Sequence, residues 1–185
     1  KDSSWLPGAW GDTVWSLAAL YLNEKSEQAN ARLRERAEAY LRKSSTPEPT
    51  RFAPGHAEDT PWSYFALTDY VRILCLFRAN SPHYPGRLSP ETEAAMKAAL
   101  WHWVRSRSRV ADASPDQLLV LQGTEHHDLT KRPSYYLAAS VLKDDPAYQN
   151  RLYADGHTAK EHYAAYNAYF QQWPRKRAMT GLWIE

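Results

Sequence analysis

Apolar positions recur along this chain at intervals of three and four, the spacing of one face of an α-helix, and no convincing run alternates as a strand would. Trp10, Val14, Leu17 and Tyr21 make one such stripe; Ala29, Leu33, Ala37 and Tyr40 make another. The turn-forming stretch from Asn23 to Ser26 lies between them and predicts an antiparallel helical hairpin. A helix predicted from Trp62 to about Arg78 is apolar nearly all round, so it is expected to be buried on most sides. The next, from Pro90 to about Arg107, carries Met96, Leu100, Trp103 and Val104 on one stripe. A last helix begins after Thr158, with Tyr163, Tyr166, Phe170 and Trp173 as its stripe.

Local signals punctuate this pattern. Residues 44–59 are rich in Pro, Ser and Thr and predict a long loop. Thr60-Pro61, Ser89-Pro90 and Ser114-Pro115 each place a capping hydroxyl before a proline, the signature of a helix start. Thr158-Ala159-Lys160-Glu161 is a capping box; Pro174 is expected to kink the helix that follows, and Gly181 to end it. The fold class is therefore all-α, built of antiparallel helical hairpins, as in an (α/α) toroid or a simple bundle. Roughly six or seven helices are predicted, fewer than a closed ring of hairpins needs. The apolar end, Leu182-Trp183-Ile184, has nothing after it to bury against. Residues 1–185 are thus expected to form a single all-α region, the N-terminal part of a larger toroid domain whose C-terminal part is a partner of this one.

With 185 residues, 43% hydrophobic and 24% charged, the chain can build one real core. Its longest apolar stretch, from Tyr70 to Phe77, is broken by Arg72, so no membrane span is expected. A formal charge of +2 gives no reason to expect a nucleic-acid partner. The basic clusters at Arg105, Arg107 and Arg109 and at Arg175, Lys176 and Arg177 read as cations at helix C-termini. The lone Cys75 excludes an internal disulfide. Lys1-Asp2-Ser3-Ser4 contains neither an initiator Met nor a signal peptide, which suggests a processed chain or part of a longer one. Aromatic residues stand out: 8 Trp, 12 Tyr and 4 Phe, or 13%. Such rings fill helical cores, and they also line grooves that hold sugars, where Tyr and Trp add hydrogen bonds.

The densest chemistry lies in Gly123-Thr124-Glu125-His126-His127-Asp128, after the apolar anchor Leu118-Leu119-Val120-Leu121. Thr124 can cap a helix beginning at Glu125, and Glu125 and Asp128 then favour its first turn. Pro133 is expected either to kink this helix or to make it restart at Arg132. The histidine pair admits three functions. Adjacent residues point apart and lack the i, i+4 spacing of a helical zinc site, so no metal site is assigned. His127 can serve as a general base, since imidazole titrates near neutrality. His126 or Arg132 can offset a substrate carboxylate. Two histidines held in a core by hydrogen bonds is the plain alternative. His56, His83, His102, His157 and His162 have no comparable setting in sequence and are taken as structural or exposed.

Gly123-Thr124-Glu125-His126-His127-Asp128, with Tyr136-Leu137-Ala138-Ala139 after it, resembles the Ser-Glu-Asn-His-Asp signature of bacterial (α/α)-toroid polysaccharide lyase-like proteins of the glucuronan and alginate lyase type. Asp155-Gly156-His157-Thr158, Glu161-His162-Tyr163, Arg177-Ala178 and Gly181-Leu182-Trp183-Ile184-Glu185 extend the likeness, as do Trp15 to Leu22 and Leu88 to Thr92. The resemblance implies β-elimination on an anionic, uronic-acid-containing polysaccharide, no cofactor, and a periplasmic or secreted location. It implies catalytic roles for His127 as base and His126 as carboxylate partner, with Tyr136, or else Tyr135 or Tyr163, as an acid or subsite contact. Glu125, Arg132, Tyr135, Trp62, Tyr64 and Tyr163 are then expected to contact substrate. His126 stands where the family's motif has Asn. Two rivals remain: a toroidal glycoside hydrolase using Glu125 or Asp128 with a second carboxylate, and a non-catalytic helical carbohydrate-binding protein.

Overall fold

A computed structural model describes residues 8–44, 64–120 and 125–180. Among them are six α-helices: α1 (Gly8–Leu22), α2 (Ser26–Ser44), α3 (Tyr64–Phe77), α4 (Pro90–Val104), α5 (Glu125–Leu142) and α6 (Ala159–Thr180). The only β pairing among the described residues is one antiparallel bridge, Leu152 to Thr158. The all-α expectation therefore holds. The long loop expected over 44–59 and the Thr60-Pro61 cap fall almost wholly outside the described residues. The chain forms two compact units, 1–100 and 101–185, divided within α4.

In the first unit α1 and α2 fold back on each other through a turn that needs left-handed backbone at Asn23 and Lys25, φ 57° and 53°. The Asn23 and Glu24 amides close the end of α1 by donating to the Leu20 and Ala19 carbonyls. Arg87 adds a bond to the Leu20 carbonyl at 2.6 Å, giving that helix end a cation as well. The predicted α2 stripe is right: Ala29, Leu33, Ala37 and Tyr40 are all buried. The predicted α1 stripe is rotated. Val14 and Tyr21 are exposed, while Thr13, Ser16, Ala19 and Leu20 are buried. The small residues among them, Thr13, Ser16 and Ala19, suit the close approach of a neighbouring helix. Tyr70 ties α3 to α2 through its hydroxyl, which donates to the Leu33 carbonyl at 3.2 Å. Asn30 on α2 donates to the Ser26 and Arg87 carbonyls and accepts from the Ser89 amide at 2.7 Å. Ser89 then caps α4, its Oγ accepting from the Thr92 amide.

The α4 stripe is as predicted, with Met96, Leu100, Trp103 and Val104 all buried. Arg107 closes the helix by donating to the Trp103 carbonyl at 3.2 Å. The Ser114-Pro115 signal opens only a short 3-10 turn, Pro115–Gln117, after another at Val110–Ala113. Ser114 makes no side-chain cap there.

In the second unit α5 and α6 pack together. α5 runs through Pro133 without restarting at Arg132, and Ser134 adds a bond to the Thr130 carbonyl. α6 opens with the predicted capping box: the Thr158 amide donates to Glu161 Oε2 at 2.7 Å, and the Glu161 amide to Thr158 Oγ1 at 3.4 Å. The helix continues through Pro174; Gly181 and the apolar segment Leu182 to Ile184 lie outside the described residues. Its buried face is Ala159, His162, Tyr166 and Tyr169. Tyr163, Phe170 and Trp173, expected to be buried, are half-exposed.

Candidate functional site

The histidine pair stands in the first turn of α5, which begins at Glu125. The side chains of Glu125, His126 and His127 lie outside the described residues, as do Trp62 and the side chain of Tyr64 at the start of α3.

One turn on, the helix turns inward. Asp128, Arg132, Tyr135 and Ala139 follow at intervals of four, three and four and are all buried. Arg132 Nη1 meets Asp128 Oδ2 at 2.7 Å, the Tyr169 hydroxyl at 2.7 Å and the Val120 carbonyl at 3.0 Å. Its guanidinium carbon also lies 4.9 Å from the centre of the Tyr169 ring. Two expectations are corrected here. Arg132 is not placed to meet a substrate carboxylate, because Asp128 already neutralises it inside the core. Tyr135 is a core residue between Trp103 and Tyr166; burial pushes its hydroxyl well above the ordinary tyrosine range.

Tyr136 points elsewhere. Its ring stacks on Tyr163 of α6, centroids 5.1 Å apart and 14° from parallel, with Phe170 tilted against it at 5.6 Å. Its hydroxyl donates to Asn167 Oδ1 at 3.0 Å and approaches the Tyr163 hydroxyl at 3.4 Å. Lys143 Nζ sits 5.1 Å from the Tyr163 ring centre and pairs with Asp144. All five of Tyr136, Lys143, Tyr163, Asn167 and Phe170 are partly exposed. Burial, then the bond and proximity to Tyr163, push Tyr136 up to about 12. It therefore remains protonated across the neutral range and acts as a donor, not as a base. The cluster combines flat rings, two hydroxyls, an amide and a cation, a set suited to a polar, anionic sugar.

Tyr136 follows His127 by nine residues, two and a half turns and a rise of roughly 13 Å on a regular helix. Those two positions stand on opposite sides of α5. A base and an acid for one elimination must both reach the same sugar ring within hydrogen-bond distance. Tyr136 belongs with Tyr163, in a separate place from the first turn.

A second constellation was not legible as such. His162 is fully buried, its Nδ1 3.0 Å from Ser108 Oγ and its Nε2 3.1 Å from Asp155 Oδ1. Its ring stacks on Tyr153 at 3.9 Å. The structural role expected for His162 fits, but its partners come from a turn and a loop that sequence spacing did not connect. Lys143, Asn167 and Phe170 were likewise missed as neighbours. The offsets 163, 167 and 170 mark one face of α6 and were the available signal there, whereas Lys143 lies just past the end of α5.

Among the described residues no group of three or more His, Cys, Asp and Glu side chains is arranged to hold a metal ion. No helix among them is long and apolar enough to cross a membrane. No protein-family model, curated protein or solved structure matches this chain.

Proposed function

We propose that the chain is part of an (α/α)-toroid lyase that cleaves a uronic-acid-containing polysaccharide by β-elimination, in the periplasm or outside the cell. In this reading His127 removes the proton beside the uronate carboxylate and His126 offsets that carboxylate as negative charge develops on it. The tyrosine cluster of α5 and α6 forms a neighbouring sugar subsite, with Tyr136 exchanging its bond to Asn167 for one to the sugar and Lys143 exchanging its exposed partner Asp144 for an anionic unit. Remaining parts of the same protein complete the cleft.

The observation that carries the reading is the partly exposed Tyr136–Tyr163 pair with its amide and cation. It offers ring faces and donors together on one surface. The hydrolase alternative is weakened at Asp128, whose carboxylate is buried against Arg132 and therefore not free for acid or base work. A non-catalytic carbohydrate-binding protein draws on the same cluster, which needs no base to hold a sugar.

The test is incubation of the protein with glucuronan and with alginate, followed by absorbance and end-group analysis of the products. Elimination leaves an unsaturated, ultraviolet-absorbing chain end. Saturated ends point to hydrolysis, and retention of polymer without cleavage points to binding alone; either outcome overturns the lyase reading.

A further inference from the structure

Arg87, in the first unit, is fixed through both its backbone and its side chain. The left-handed backbone of Gly86, φ 72°, makes the turn that presents it. The Tyr84, Gly86 and Leu88 amides donate to the Leu76, Arg78 and Phe77 carbonyls around the end of α3. The Arg87 carbonyl accepts from Asn30 of α2 at 3.0 Å. Its Nη1 gives its two hydrogens to the Leu20 and Tyr21 carbonyls at the end of α1, each at 2.6 Å. The guanidinium carbon lies 4.7 Å from the centre of the Tyr84 ring, which tilts against the buried Phe77 at 5.7 Å. Tyr21 meets that same Tyr84 ring at 81°, with centroids 5.4 Å apart.

One edge of the guanidinium is left over. Nε and Nη2 make no hydrogen bond or ion pair among the described residues, so no carboxylate there neutralises this cation. The two carbonyls on Nη1 are dipoles and offset only part of its charge. Arg87 is half-buried, and Tyr21 beside it is 54% exposed.

We propose that Arg87, Tyr84 and Tyr21 form a binding site for a carboxylate carried on a sugar ring. Nε–H and Nη2–H make a parallel fork that matches the two oxygens of one carboxylate. A single uncompensated cation suits one negative charge, whereas a dianionic phosphate calls for more. The exposed Tyr21 ring offers apolar surface to the C–H side of a pyranose. Arg87 and Tyr21 lie against the same Tyr84 ring, so one ligand can reach both. The turn and the tether hold the guanidinium in place beforehand, and binding therefore orders little of the protein. The site uses neither the histidine turn nor the Tyr136–Tyr163 cluster, so it stands or falls apart from the elimination reading.

The experiment follows the Arg87 Nε–H resonance and the Tyr21 and Tyr84 amides as sodium glucuronate is added at constant pH and ionic strength. A saturable shift is expected, with a dissociation constant on the order of 1 mM. Glucose has the ring without the charge, and acetate the charge without the ring; each should bind several times more weakly. R87K keeps the charge but loses the fork, and should weaken glucuronate binding about tenfold. Y21A removes an exposed ring and should weaken it about two- to tenfold, with the melting temperature nearly unchanged. No saturable shift at Arg87, equal affinity for glucuronate and either control, or undiminished affinity in either variant overturns the proposal. Should R87K fail to fold, the native protein and Y21A decide by the same criteria.

Discussion

Asp128 and Arg132 stand one turn apart on α5, and their carboxylate and guanidinium meet at 2.7 Å with both side chains almost wholly out of water. Removing one partner leaves the other charge buried. Asp128→Ala is therefore expected to cost about 3–5 kcal/mol, and Arg132→Met a similar amount. The double variant should lose much less than the two combined, because neither charge is then stranded. Urea unfolding of the three variants measures this; an additive double variant shows the pair to be uncoupled.

Asn30 joins α2 to the segment that leads into α4, donating to two carbonyls and accepting from the Ser89 amide. Asn30→Ala strands partly buried backbone groups and is expected to lower stability by about 1–3 kcal/mol. Asn30→Asp, which keeps the acceptor and loses the donor, should fall between. Equal stability of all three forms, measured by thermal unfolding, would show that water replaces the amide at no cost.

The α6 capping box gives a smaller, local expectation. Thr158→Ala removes the hydroxyl that accepts from the Glu161 amide and donates to Glu161 Oε2, at a cost of about 1 kcal/mol. Thr158→Ser should recover most of it. Circular dichroism at increasing temperature reads the difference.

These contacts also show what the sequence could and could not reveal. α2 is polar with a single apolar stripe, so Ala29, Leu33, Ala37 and Tyr40 named their own face. α1 is apolar on several sides, and spacing alone could not choose between Val14 with Tyr21 and Ala19 with Leu20. Ser114-Pro115 carries a start signal without a periodic stretch behind it, and only a 3-10 turn forms. At the site, the helix start at Glu125 and the Tyr136–Tyr163 side of the α5–α6 pair were within reach of sequence reasoning. The inward turn of Arg132 was not, since only the i, i+4 spacing to Asp128 hinted at a buried pair. The meeting of His162 with Ser108 across 54 residues depends on tertiary packing that no local pattern encodes.

Tyr136 is the test of the subsite. Tyr136→Phe keeps the ring stacked on Tyr163 and removes only the hydroxyl that donates to Asn167. Binding of uronate oligomers should weaken roughly tenfold, about 1.4 kcal/mol, with the melting temperature nearly unchanged. Tyr163→Ala should weaken it further by removing the stacking partner. Calorimetric titration provides both values, and undiminished affinity in Tyr136→Phe removes the hydroxyl from the subsite.

The last expectation concerns His127. As the base of an elimination, its replacement by Ala should reduce the rate of unsaturated product formation by about two to four orders of magnitude, with folding intact. His126→Asn should be far milder, because the amide restores a hydrogen-bond donor for the carboxylate. The base must be neutral to accept a proton, so the rate should rise with pH as that imidazole loses its proton and then level. Tyr136 imposes no falling limb near neutrality, since its hydroxyl keeps its proton up to about 12. Full elimination activity in His127→Ala would remove that residue from the mechanism and move the search for a base to parts of the protein beyond the described helices.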